Sequence, residues 1–278
     1  MNAPAQTRTI DRAIEIAAPV DAVWKALVDA EELTRWFPLE AGENPDGTVW
    51  MGWRDQFRFS GRVEALEPLK YMRSVPVFPP GFTPPVKMAT EFWLEARGSK
   101  TRVRVVQSGF LADAAWDQEY DGTDRGWLFQ LRGLRHYLEH HRGTPRHVAW
   151  ARRLIGVPTA EAWQRVMSAR GVLAEGTLDG LREGDTFSFR TVDGDRFEGR
   201  FFQSNPGRDF SGTVNNWNNA LMRIQFDDLP GRGYRDAQLW ISTYGVPAAD
   251  VAALEQRWKA MLERVLPEAA PQPKMPGA

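Results

Sequence analysis

The sequence repeats itself once at an offset of 138 to 139 residues, and nothing else in it restricts the fold so strongly. Pro19-Val20-Asp21-Ala22-Val23-Trp24 is echoed by Pro158-Thr159-Ala160-Glu161-Ala162-Trp163. Arg58-Phe59-Ser60-Gly61-Arg62 returns as Arg196-Phe197-Glu198-Gly199-Arg200, and Pro68 returns as Pro206. A period this long is that of a whole domain, not of one supersecondary unit. Two copies of one fold are therefore expected, over 8–142 and 146–267, with turn residues Arg142-Gly143-Thr144-Pro145 between them. Residues 268–278, with three prolines and few apolar side chains, read as a disordered tail.

Within the first copy, Ile10, Ile14 and Ile16 share one strand parity with Arg12. Pro19 then opens a helix carrying Val20, Val23, Trp24, Leu27 and Val28, and Leu33, Trp36 and Phe37 mark a second short one. Alternating runs follow at 48–53, 57–66, 71–78, 90–96 and 101–107, with Phe57, Phe59, Val63 and Ala65 facing one way. A long helix over Gln118 to His141 presents Trp127, Leu128, Leu131, Leu134 and Leu138. The second copy shows the same order, ending on a helix with Leu254, Trp258, Met261, Leu262 and Val265. The fold class is α+β: in each copy a curved antiparallel sheet wraps one long C-terminal helix, with two short helices after the first strand. One helix does not fill a wide, bent sheet, so an apolar cavity is expected between them.

The 35 Lys and Arg against 36 Asp and Glu leave a net charge of −1, without the cationic surplus that a nucleic-acid binder needs. The absence of cysteine excludes disulfides, thiolate nucleophiles and Cys-ligated metals. No apolar run reaches the roughly 18–20 residues of a membrane span, and no leader is visible, so the expected location is cytoplasmic. Twelve tryptophans and fifteen phenylalanines supply core anchors, and also rigid walls for an apolar pocket.

Ala18-Pro19 with Val23-Trp24, Leu33-Thr34-Arg35-Trp36-Phe37, Gly61-Arg62-Val63, Ser108-Gly109-Phe110 and Gly126-Trp127 resemble the Activator of Hsp90 ATPase homologue-like (AHSA1-like) branch of the SRPBCC, or START/Bet v 1-like, superfamily. The second copy is a divergent version that lacks the Leu-Thr-Arg-Trp-Phe segment, with Gly171-Val172-Leu173 in its place. The resemblance implies two helix-grip domains with a deep apolar pocket. The superfamily includes carriers, sensors, aromatic cyclases and cochaperones, so fold does not fix function.

Chemistry-bearing patterns are few. His136 and His140 stand i, i+4 on the long helix, on the face away from Leu131 and Leu134, and are expected at solvent rather than on a metal. Glu64, Glu91 and Glu95 fall opposite Phe59, Phe92 and Leu94, where they pair with Arg62, Arg102 and Arg104. No catalytic residue, cofactor or metal is assigned. The reading favoured is a non-enzymatic protein that binds or senses a small hydrophobic molecule, with Trp24, Trp36, Phe59, Phe92 and Trp127 as pocket walls. Phe78 and Phe82, on the stiff segment Pro76 to Pro85, form a lid. A chaperone-accessory module and a polyketide cyclase or aromatase-like enzyme are the alternatives. Asn215-Asn216-Trp217-Asn218-Asn219 reads as a hairpin turn.

Overall fold

The computed structural model describes residues 6–228 and 234–267; the tail 268–278 and the Gly231-Arg232-Gly233 turn lie outside the described residues. The chain divides into two units, the first reaching Thr144 and the second starting at Pro145.

In the first unit β1 (Thr7–Ile16) leads into α1 (Val20–Val28) and α2 (Ala30–Thr34). Then come β2 (Glu40–Glu43), β3 (Val49–Trp53), β4 (Phe57–Glu67), β5 (Tyr71–Val77), β6 (Ala89–Arg97) and β7 (Lys100–Leu111). The unit ends on α3 (Asp117–His136), which runs on through a π turn over Tyr137–His141. The seven strands form one antiparallel sheet in the order β1-β7-β6-β5-β4-β3-β2. The second unit repeats this with β8 (Arg146–Ile155), α4 (Thr159–Val166), β9 (Glu175–Gly176) and β10 (Thr186–Arg190). It continues through β11 (Arg196–Asn205), β12 (Asp209–Val214), β13 (Ala220–Asp228), β14 (Arg235–Tyr244) and α5 (Ala248–Val265). Its sheet order, β8-β14-β13-β12-β11-β10-β9, is the same topology. Both units are helix-grip folds, a sheet closed by one long helix.

The repeat extends to irregularities. The β4–β5 ladder slips register between Val63 and Ala65, and the β11–β12 ladder slips between Phe201 and Gln203, at the offset of 138. A bulge in the same place in both copies bends the sheet at one point. It also corrects the parity reading of β4. Beyond the bulge Leu66, opposite Met72, takes the helix-facing side, and Ala65, opposite Arg73, turns outward.

Three further expectations change. Among the described residues of the second unit no second short helix follows α4: the chain turns, with Gly171 N–H bonded to Ser168 O and Val172 N–H to Val166 O. A Cβ on Gly171 would come within 2.2 Å of Val166 O, so only glycine permits that close turn. His136 is buried at 7% exposure rather than at solvent, because burial on α3 reaches round to Arg125, Phe129 and His136. His140 is exposed as expected. The short edge strands β2 and β9 carry no alternation and were not anticipated.

Candidate functional site

The helix-facing side of the first sheet is layered. One layer runs Met72–Phe92–Val105 across β5, β6 and β7, and the next, two residues along, runs Ser74–Thr90–Gln107. On β3 and β4 the same face carries Met51 opposite Phe59, and Trp53 opposite Phe57. Trp127 of α3 comes down onto this face. Its ring meets Phe92 edge-on at 5.6 Å, and its Nε1–H donates to Gln107 Oε1 at 2.5 Å.

From Trp127 an unbroken chain of rings follows the concave wall. Phe37 lies 5.9 Å from Trp127, 5.3 Å from Trp36 and 5.5 Å from Trp53. Trp53 stacks on Phe57 at 4.9 Å and meets Phe59 at 5.8 Å. The chain begins buried, at Trp36 and Phe92, and ends in the open: Phe59 is 56% exposed, beside exposed Val63 and Leu66. A protein seldom leaves such rings uncovered beside one another without a use for them.

Of the pocket residues expected from sequence, the structure brings Trp36, Phe59, Phe92 and Trp127 into this one chain. Trp24, half-buried on α1, stands outside it. Phe78 and Phe82 contact each other at 5.2 Å on the proline-rich segment, Phe82 being 56% exposed. Sequence reasoning missed Phe37, Trp53 and Gln107 as wall residues. Trp53 shares parity with Met51 and Phe57 across its ladder, a signal that was available.

The Leu33-Thr34-Arg35-Trp36-Phe37 segment has a clear task. Trp36 Nε1–H bonds Ala26 O at 2.8 Å, tying α2 to α1. Arg35 bonds Glu32 at 2.9 Å, and Glu32 in turn accepts the Tyr137 hydroxyl at 2.6 Å. The pair of tethers holds Phe37 over the sheet.

The second unit fills the space that the first leaves. By register, Phe187, Phe189, Phe201 and Phe210 occupy the positions of Val49, Met51, Val63 and Met72. Phe197 occupies the position of Phe59 and is 0% exposed, packed against Phe189, Trp217 and Trp258. The polar layer Ser74–Thr90–Gln107 becomes Gly212–Met222–Ile241. Gly212 makes room for Phe187, whose ring would lie 2.8 Å from an added Cβ. In this unit four phenylalanines thus replace smaller side chains, and together with Phe197 they pack into one buried core under α5.

The electrostatics of the first unit place its acids elsewhere. Glu64 pairs with Arg73, Glu91 accepts the Tyr71 hydroxyl at 2.7 Å, and Glu95 pairs with Arg97 at 2.9 Å, all on the outer face. Arg73, not Arg62, is thus the partner of Glu64. Burial, then the bond to Glu91, pushes the Tyr71 phenol up to about 12. On the inner face Arg12 is held by Asp124 of α3 through two bonds of 2.7 and 2.6 Å, which raise its pKa against the effect of burial. Among the described residues no group of three or more His, Asp or Glu is placed to hold a metal. Among the described residues no helix is long and apolar enough to cross a membrane.

Two other features resolve as structural. Asn218 Nδ2 bonds Tyr244 O at 2.7 Å and Asn216 Nδ2 bonds Arg196 O at 2.8 Å, so the asparagine run shapes a turn. A surface groove of about 790 Å³ beside α4 and α5 is lined by Arg165, Arg170, Val192, Arg264 and Val265. Arg165 and Arg264 there are paired with Glu161 and Asp193.

Residues 17–139 match the family described as Activator of Hsp90 ATPase homolog 1-like protein. No curated protein matches the chain. Among solved structures, similarity extends to the di-domain ARO/CYC BexL from the BE-7585A biosynthetic pathway, at 17% identity and a TM-score of 0.43, covering 96% of this chain and 100% of that one. DynU16 from the dynemicin biosynthetic locus matches at 18% identity and 0.41, covering 93% and 96%. The Aha1 dimer from Colwellia psychrerythraea matches at 19% identity and 0.41, covering 49% of this chain and 99% of that one.

Proposed function

On the premise that this chain is a tandem of helix-grip units whose first copy is AHSA1-like, we propose that the first unit binds a small apolar molecule against its open aromatic wall. The second unit serves as a filled, structural copy. The observation that carries this reading is the contrast at one repeat position: Phe59 is 56% exposed and Phe197 is 0% exposed. The same residue in nearly the same local sequence differs in its surroundings: Phe197 is covered by Phe189, Trp217 and Trp258, whereas Phe59 lies against Trp53 and Phe57 with its outer side open. Binding without catalysis is supported by the placement of Glu64, Glu91 and Glu95 on the outer face, where none approaches a molecule on the ring wall.

The test copies the second unit into the first. Val63→Phe with Met72→Phe installs the counterparts of Phe201 and Phe210, which stack at 5.7 Å. Nile red, a neutral apolar dye, should brighten on the full-length wild type and bind the double variant at least tenfold more weakly. The stability of the variant should be unchanged or raised. Equal dye binding by both proteins would refute the assignment of the site.

A further inference from the structure

We infer that the ligand of the first unit is a neutral, flat apolar molecule carrying a carbonyl or similar hydrogen-bond acceptor, read by the amide N–H of Gln107. This rests on the binding reading above and narrows it to a chemical class.

The indole of Trp127 is a donor only, so its 2.5 Å bond fixes which end of the Gln107 amide faces it: the oxygen. The amide nitrogen, with two donors, then points away from Trp127. Among the described residues it has no partner. Gln107 is half-buried on the helix-facing side, level with Thr90 and Ser74 and next to the layer that holds Phe92. A donor held in place by the indole and open to solvent beside a wall of rings is a recognition element, since a partner without an acceptor leaves it unsatisfied on burial.

The second unit argues against Gln107 being present only to satisfy an indole. There the position is Ile241, and the indole of Trp258 on α5 is buried with its Nε1–H unpartnered. The fold tolerates an unsatisfied indole once the cup is filled. A polar residue is kept where the cup is open.

The same surroundings select against an anion. Arg8 and Arg12, the cations of β1 that reach α3, are engaged by Asp117 and by both oxygens of Asp124 respectively. A carboxylate at the polar layer would meet a neutral amide and hydroxyl and lose its hydration without a counter-charge. Phe59 is exposed and Phe37 and Phe57 are half-buried, and rings left uncovered in this way match a planar body, on which ring contacts are most extensive.

The experiment measures displacement of Nile red from the full-length protein by 2-acetylnaphthalene, 2-ethylnaphthalene and 2-naphthoate. In the wild type the ketone should bind about three- to tenfold more tightly than the ethyl compound, and the carboxylate most weakly. Gln107→Leu should bring the ketone to ethyl ratio to about one while leaving the ethyl compound within about threefold. Trp127→Phe, which frees the amide to rotate, should reduce the ratio while keeping a ring at that position. It provides the reading should Gln107→Leu fail to fold by circular dichroism. A wild type that binds both naphthalenes equally overturns the carbonyl assignment and leaves the cup intact. An unchanged ratio in Gln107→Leu overturns it too. Failure of every naphthalene and of Nile red to bind overturns the cup itself.

Discussion

Phe59 and Phe197 occupy one position of a duplicated sheet, so replacing each by alanine separates a wall from a core. Phe197 is fully buried among three rings. Its loss should cost about 3–5 kcal/mol, the range for a large aromatic truncated in a packed interior. Phe59 covers only 44% of its surface, chiefly against Trp53 and Phe57. With roughly 200 Å² for a phenylalanine, that is about 90 Å², or about 2 kcal/mol. The remaining surface of Phe59, roughly 110 Å², is what a bound molecule would cover, again worth about 2–3 kcal/mol. The expected pattern is therefore crossed. Phe59→Ala lowers the calorimetric transition of the full chain by a few degrees and weakens Nile red about tenfold or more. Phe197→Ala lowers its transition by roughly 10–20 °C and leaves dye affinity unchanged below that transition. Equal destabilisation by the two substitutions would mean that Phe59 is a core residue. Unchanged dye affinity in Phe59→Ala would mean that the open rings are not the site. Either result defeats the reasoning.

Gly109 has φ +96°, and a Cβ there would stand 2.4 Å from Lys87 O and 2.8 Å from Met88 Cα. Gly109→Ala should cost about 3 kcal/mol or more in urea denaturation, against about 1 kcal/mol for Gly81→Ala, whose φ is +85° in open space. A smaller loss at Gly109 than at Gly81 would refute the crowding argument. The Tyr71 phenol, raised to about 12 chiefly by burial and then by Glu91, gives a sign for alkaline stability. Between pH 10 and about 12 the unfolded chain has released this proton and the folded chain has kept it. Stability contributed by the neutral phenol is thus present below pH 10 and lost as pH rises through that window. Tyrosinate absorbance should show a late step near pH 12 that diminishes in Tyr71→Phe; a step at pH 10 for all five tyrosines would contradict it.

Much of the architecture was legible because strand parity and helical spacing report which face is apolar. β1, β4, β6, β7 and both long helices follow from alternation or stripe. What parity cannot see is a bulge. The slip after Val63 inverts the rest of β4, and no residue type at 63–65 announces it. The edge strands β2 and β9 were invisible for a related reason: at four and two residues they are too short to alternate, and pairing with a longer neighbour defines them. His136 was misplaced because a single amphipathic stripe assumes that only one face of a helix is covered, whereas burial on α3 also takes in Arg125 and Phe129.

The difference between a wall and a core lies deeper than any one motif. Arg58-Phe59-Ser60-Gly61-Arg62 and Arg196-Phe197-Glu198-Gly199-Arg200 are nearly the same segment, with the same bulge two residues on. Read alone, each predicts the same environment for its phenylalanine. The outcome is set across the sheet, where Val49, Val63 and Met72 face Phe187, Phe201 and Phe210 as counterparts. Each exchange adds a ring to the interior of the second unit, and Ser74, Thr90 and Gln107 give way to Gly212, Met222 and Ile241 in the same layer. Bulk and polarity change together, as they must. A layer that is sealed cannot keep an unused amide donor without the cost of burying it, and a layer that stays open to a ligand can. On the binding reading proposed above, Gln107 and the absence of filling rings in the first unit are two consequences of one requirement, that the cup remain available.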